Sequence, residues 1–183
     1  MKAVPAAALA AALLLSGCTD EPRAPELPGP VPAGVTFHEP PPAAPAAPAF
    51  TLKLLDGRTL DLAEQWQQRP VVLVFFESFC SVCRDQQPEL NEVAEQYEDI
   101  VLFVGIATES EPADVADYIA EYGLDYPVGI DDSGRTAVRY AVAEPPLVTL
   151  ISKGGRLLRG WPAGVGGAEL RDHIDRLAVA DGG

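Results

Sequence analysis

Apolar positions are most concentrated in Val71-Val72-Leu73-Val74-Phe75-Phe76, bounded by Arg69-Pro70 on one side and Glu77-Ser78 on the other. A run this short, rich in β-branched and aromatic residues, predicts a buried strand. Downstream, Leu90, Val93, Ala94 and Tyr97 recur at i, i+3, i+4 and i+7, the buried stripe of an amphipathic helix whose first turn begins near Cys80. Pro88 lies inside that pattern and should kink the helix just after its first turn. Ahead of the strand, Phe50 to Leu54 and Arg58 to Leu62 alternate around Asp56-Gly57 and predict a β-hairpin, followed by a short helix over Ala63 to Gln68 that presents Trp66. After it come a strand over Ile100 to Ala107 and a helix over Pro112 to Tyr122 with Val115, Tyr118, Ile119 and Tyr122 on one face and Gly123 as its stop. A strand at Pro127 to Ile130 and a helix from Arg135 to Val142 come next. A strand at Leu147 to Ser152, a turn at Lys153-Gly154-Gly155, Arg156 to Gly160, and a helix over about Ala168 to Ala178 complete the pattern. Strands alternating with helices predict an α/β domain with parallel pairing at its centre.

The first 49 residues are different. Residues 1–17 carry one lysine and then an Ala/Val/Leu run too short to span a bilayer, which reads as an export signal. The run closes on Leu15-Ser16-Gly17-Cys18, which resembles the lipobox of bacterial lipoproteins and implies that Cys18 becomes the acylated first residue; the alternative is an ordinary signal peptide with a chance cysteine. Several acyl chains would hold the protein on a membrane firmly where one alone is marginal. From residue 18 to 49 the chain is Pro/Ala-rich, with ten of its eighteen prolines, and no periodicity appears. Such composition predicts an extended, disordered spacer of at most roughly 90 Å. Its His38 reads as solvated. The folded domain is expected over residues 50–183.

Charge narrows the partners. With 13 basic against 27 acidic residues the 183-residue chain has a formal net charge of −14, so a phosphate backbone exerts no general attraction and nucleic acid is not an expected partner.

Chemistry concentrates at Cys80-Ser81-Val82-Cys83. A helix N-terminus carries unpaired amides and partial positive charge, which favour a thiolate, so Cys80 is the expected attacking sulfur. Cys83, three residues on, lies about 5 to 6 Å away between Cα atoms, within disulfide range. A structural zinc site wants four ligands, and beyond this pair the mature chain offers only His38 and His173, so no metal is expected and no cofactor is called for. His173 falls on the inner face of the last helix and reads as a packed histidine. In an exported protein the pair becomes either a static disulfide or a dithiol kept reduced by dedicated machinery.

Over about Phe50 to Leu177 the chain resembles the thioredoxin superfamily, and within it the membrane-tethered bacterial branch that includes the TlpA, ResA and cytochrome c maturation thioredoxins. Three motifs carry the likeness. They are Phe75-Phe76-Glu77-Ser78-Phe79-Cys80-x-x-Cys83-Arg84 with Pro88; Val128-Gly129-Ile130-Asp131 with Tyr140-Ala141-Val142; and Pro146-Leu147-Val148-Thr149-Leu150-Ile151 with Gly155. The resemblance implies a thioredoxin-like fold, a central mixed sheet flanked by helices with the hairpin as an N-terminal extension. It also implies Cys80 as nucleophile, Cys83 as resolving thiol and Pro146, or else Pro145, as a cis-proline facing them. Phe79, Pro145 and Pro146 would form the substrate-binding loop. Partners implied are disulfide-containing exported proteins and a membrane electron donor, in a reductive role such as cytochrome c maturation or copper-site assembly. The location implied is the cell envelope, lipid-anchored and facing the periplasm or exterior.

The chain departs from the pattern at instructive places. Phe79 replaces the usual Trp, and the family's buried carboxylate is absent from both its positions, Val74 and Gln86. Glu77 is the nearest acid able to take part of that carboxylate's proton-transfer role, against a plain solvated glutamate. Pro145 has no amide hydrogen to offer a partner. Two rival readings stay open here: a Cu(I) metallochaperone using the same cysteines, and a non-catalytic tethered module with a static disulfide. A thiol peroxidase fits less well, because no threonine precedes Cys80 in the pattern such enzymes use.

Overall fold

The computed structural model describes residues 27–180. The expected export signal, Cys18 and the start of the expected spacer lie outside the described residues. In chain order the elements are β1 (Thr36–Phe37), β2 (Thr51–Lys53), β3 (Thr59–Asp61), α1 (Leu62–Gln65), β4 (Val71–Phe76), α2 (Ser81–Gln96), β5 (Leu102–Ala107), α3 (Pro112–Tyr122), β6 (Val128–Ile130), α4 (Arg135–Arg139), β7 (Leu147–Ile151), β8 (Leu157–Pro162), α5 (Gly167–Leu177) and β9 (Val179–Ala180).

Five strands form one sheet in the order β6-β5-β4-β7-β8, with β4, β5 and β6 mutually parallel, β7 antiparallel to β4, and β8 antiparallel to β7. The architecture is thioredoxin-like, a central mixed sheet flanked by helices. All six residues of β4 are buried, and their alternation splits the core in two. Val72, Val74 and Phe76 point to the side packed by Leu90 and Val93 of α2, Val115 and Tyr118 of α3, and Leu170 and Ile174 of α5. Val71, Leu73 and Phe75 point to the other, closed by Leu52 and Leu60 of the hairpin, Trp66 and Tyr140. A strand apolar on both faces is the signature of a central position.

Local chemistry sets the ends of the elements. Asp61 accepts from the Ala63 amide and starts α1 at Leu62, one residue earlier than expected, and the helix ends at Gln65 instead of Gln68. Gly123, at φ +63°, stops α3. The short helix expected to reach Val142 ends at Arg139, and Ala141 just beyond adopts φ +53°. α2 runs through Pro88 without interruption over its 16 residues.

The spacer differs from its expectation over residues 27–49. Thr36–Phe37 pairs with Val179–Ala180, Ala46 bridges to Arg156, and Ala47 is buried. Prolines cannot donate, yet their carbonyls accept. Pro45 O takes the Leu157 amide at 2.9 Å and Pro48 O takes the Tyr140 hydroxyl at 2.8 Å. Arg69, 2% exposed, donates to the carbonyls of Asp99 and Gly29. Composition weighed only the apolar surface this segment could bury by itself; the domain supplies the hydrogen-bond partners instead. His38 is exposed as expected, but Nε2 lies 3.1 Å from Asp175 O.

Candidate active site

β4 ends at Phe76 and the chain turns through Glu77, Ser78 and Phe79 into α2, with Cys80 as its N-cap. The Cys83 amide donates to Cys80 Sγ at 3.1 Å, so the sulfur sits where an N-cap oxygen ordinarily would. The two cysteines are joined in a disulfide, their Cα atoms 5.3 Å apart. Cys80 is half-buried and Cys83 buried, so a partner reaches Cys80 first.

The neighbouring β5–α3 connection props up this loop. Ser110 Oγ accepts from the Ser78 amide at 3.0 Å and donates to Thr108 O at 2.9 Å. Sequence reasoning passed over these two residues; the available signal was the polar run Thr108-Glu109-Ser110 at the end of a strand parallel to β4. Thr108 Oγ1 donates to Glu77 Oε1 at 3.4 Å. Burial raises the Glu77 pKa, and the charges of Glu109 and Glu144 add to the rise.

On the other side stands the peptide bond Pro145–Pro146, in the cis form, immediately before β7. The Pro145 carbonyl oxygen lies 3.8 Å from Cys80 Sγ, and Pro146 is buried behind it. Phe79, 60% exposed, and Val82, 45% exposed, give the rim an apolar surface. A shallow cleft beside Phe79 is lined by Arg84, Asp114, Asp117, Tyr118 and Glu121. The Arg84 guanidinium donates to Phe79 O at 2.8 Å and ties the first helical turn to the loop.

Of the two positions where the resembled family keeps a carboxylate, Val74 is buried in the apolar core and Gln86 reaches outward to the β8–α5 turn. The next residue, Gln87, is buried. Its amide donates to Tyr126 Oη and Asn91 Oδ1, each at 2.7 Å, and accepts from Tyr118 Oη at 3.3 Å. Burial raises the pKa of both tyrosines and keeps their hydroxyls neutral, Tyr118 as donor to Gln87 and Tyr126 as acceptor from it. His173 lies edge-on to Trp161, with Nδ1 2.9 Å from Glu169 O, on the inner face of α5.

The chemistry available to this arrangement is thiol-disulfide exchange. When reduced, Cys80 would keep the Cys83 amide and the open end of α2 to stabilise its thiolate. Comparison with known proteins agrees with that chemistry. Residues 44–160 match the model of the AhpC/TSA family. The thiol-disulfide oxidoreductase ResA of Bacillus thuringiensis subsp. konkukian is 29% identical over 72% of this chain and 76% of its own length. A secreted Mycobacterium tuberculosis disulfide oxidoreductase homologous to Escherichia coli DsbE superposes with a TM-score of 0.63 at 27% identity, over 68% of this chain and 93% of that one. The exposed lipoprotein thioredoxin of Streptococcus pneumoniae gives 0.62 at 27% identity, over 71% and 100%. With a helix-capping cysteine, its partner one turn on and relatives that share both fold and chemistry, this chain belongs to the AhpC/TSA family, as a thioredoxin-like thiol-disulfide oxidoreductase.

Proposed function

We propose that the protein is an exported, lipid-anchored reductant of disulfides in other exported polypeptides. The observation that carries the reductive chemistry is the asymmetry of the pair: a half-buried Cys80 sulfur capping α2 beside the Pro145 carbonyl, with Cys83 buried behind it. The Cys80 thiolate attacks one sulfur of a partner disulfide, forming a mixed disulfide and releasing the partner's other sulfur as thiolate. Cys83, deprotonated, then attacks Cys80 Sγ and expels the first partner sulfur. Two electrons pass to the partner, whose thiolates take up the two protons lost by Cys80 and Cys83. A dithiol donor at the membrane returns the pair to its reduced state by the same exchange.

Export and anchoring are supported by the apolar leader closing on Leu15-Ser16-Gly17-Cys18 and by the secreted and lipoprotein character of the two structural relatives named above. Cytochrome c cysteines or copper-site cysteines are the substrates favoured by the resemblance to the ResA branch. Expression of full-length Cys83→Ser should trap partners on Cys80 in the membrane fraction, released by dithiothreitol and lost in Cys80→Ser. Failure to trap an exported protein, or recovery of the chain as a soluble species with Cys18 unmodified, would sink the reading.

A further inference from the structure

β8 ends at Pro162, opposite Leu147 of β7, so the residues that follow leave the sheet at the same edge as the Pro145–Pro146 bond. There the chain makes a tight turn with two consecutive left-handed residues, Ala163 at φ +67° and Gly164 at φ +83°. Ala163 pays a steric cost that glycine would not. The side chain that faces this turn is Gln86, one turn beyond Cys83 on α2. Its Nε2 donates to Ala163 O at 3.0 Å and its Oε1 accepts from the Val165 amide at 3.1 Å. A Cβ on Gly164 would overlap the same amide. Val165, held by this grip, packs in the apolar cluster that contains Cys83 and Trp161 and touches Cys80.

A carboxamide can do both jobs at neutral pH. A carboxylate accepts and cannot donate, so it would satisfy Val165 and repel the Ala163 carbonyl. The amide at this position therefore has a use of its own.

We propose that Gln86 is a positioning residue for partner docking: it locks Ala163-Gly164-Val165 as the third wall of a groove whose other walls are Phe79-Cys80 and Pro145-Pro146. The occupant is an extended polypeptide segment around a disulfide, lying against the exposed Phe79 and Ala163 and within reach of the Pro145 carbonyl. This rests on the polypeptide-partner reading given above. Gln86 touches neither reacting sulfur; its effect passes through the turn.

The test compares two substrates, insulin as a polypeptide disulfide and 2-hydroxyethyl disulfide as one too small to span the groove. Gln86→Leu should raise KM for insulin about fivefold to tenfold, the loss of one or two net hydrogen bonds. It should leave kcat and the rate on 2-hydroxyethyl disulfide unchanged. Gln86→Glu, nearly isosteric but without a donor, should raise the same KM at pH 7.5 and speed hydrogen exchange at the turn. Gly164→Ala would push its Cβ into the Gln86 amide and should act alike. Unchanged insulin kinetics in Gln86→Leu, or equal losses on both substrates, would overturn this inference alone. A wild-type chain that reduces 2-hydroxyethyl disulfide and not insulin would overturn the polypeptide-partner reading and the inference with it.

Discussion

Glu77 and Pro145 stand on opposite sides of Cys80, and each makes a prediction at the scale of a single residue. Glu77 holds its proton more tightly in the folded chain than in the unfolded one, chiefly because it is partly buried, and then because Glu109 and Glu144 repel its charge. A raised carboxylate pKa means the folded state binds the proton better. Stability from this group is therefore present at low pH and lost as pH rises from the ordinary glutamate value through the folded one. Thermal melts of Glu77→Gln against wild type should show the variant gaining at pH 7, with the gain disappearing below pH 4. If Glu77 also manages thiol protons, the same variant should lower the Cys80 thiol pKa; an unchanged thiol titration would remove that role. Pro145 would offer a docking backbone a carbonyl but no amide hydrogen. Pro145→Thr restores the donor and should tighten noncovalent docking of a disulfide-bearing polypeptide by about 1 kcal/mol, roughly fivefold in KM.

At the scale of elements, α2 does more than present the dithiol. Its side chains cap and brace three neighbours: Gln86 takes the β8–α5 turn, Glu89 accepts from the Gly167 amide at the start of α5, and Gln87 with Asn91 holds α3 and the turn after it. Gln87→Leu should cost about 1 to 3 kcal/mol in urea unfolding, because it strands two buried tyrosine hydroxyls. Gly129 of β6 shows the same tightness on the far face. A Cβ there would come within 2.5 Å of Leu52 Cγ and of the Lys53 carbonyl, so Gly129→Ala should loosen the hairpin and destabilise the fold by about 1 to 3 kcal/mol. These roles explain what the sequence could and could not reveal. β4, α2 and α3 were legible because burial imposes a period, two faces of one strand or one stripe of a helix, and the cysteine pair was legible because its spacing is itself chemistry. Gln86 and Gln87 carry no such period. A glutamine on a helix is polar whether it faces water, a turn or two tyrosines, and only the tertiary neighbours decide which. Thr108 and Ser110 were hidden for the same reason, since their partners lie more than thirty residues away.

At the scale of the whole molecule, the Pro/Ala-rich segment is the largest departure from what composition implied. It wraps the domain from Gly29 to Ala49, and Arg69 grips it at the end of β4 remote from the dithiol. Arg69→Leu would leave the Gly29 and Asp99 carbonyls without their donor. Such a variant should be cut faster by a nonspecific protease between residues 29 and 47 while still reducing 2-hydroxyethyl disulfide; an unchanged cleavage pattern would show that the strap does not depend on this clamp. For an anchor at Cys18, the docked strap turns a long leash into a short one. Only nine Cα steps separate Cys18 from Leu27, at most about 30 Å of chain. So anchored, the dithiol would patrol a thin layer next to the bilayer, where local concentration would favour neighbours fixed to the same surface over freely diffusing ones.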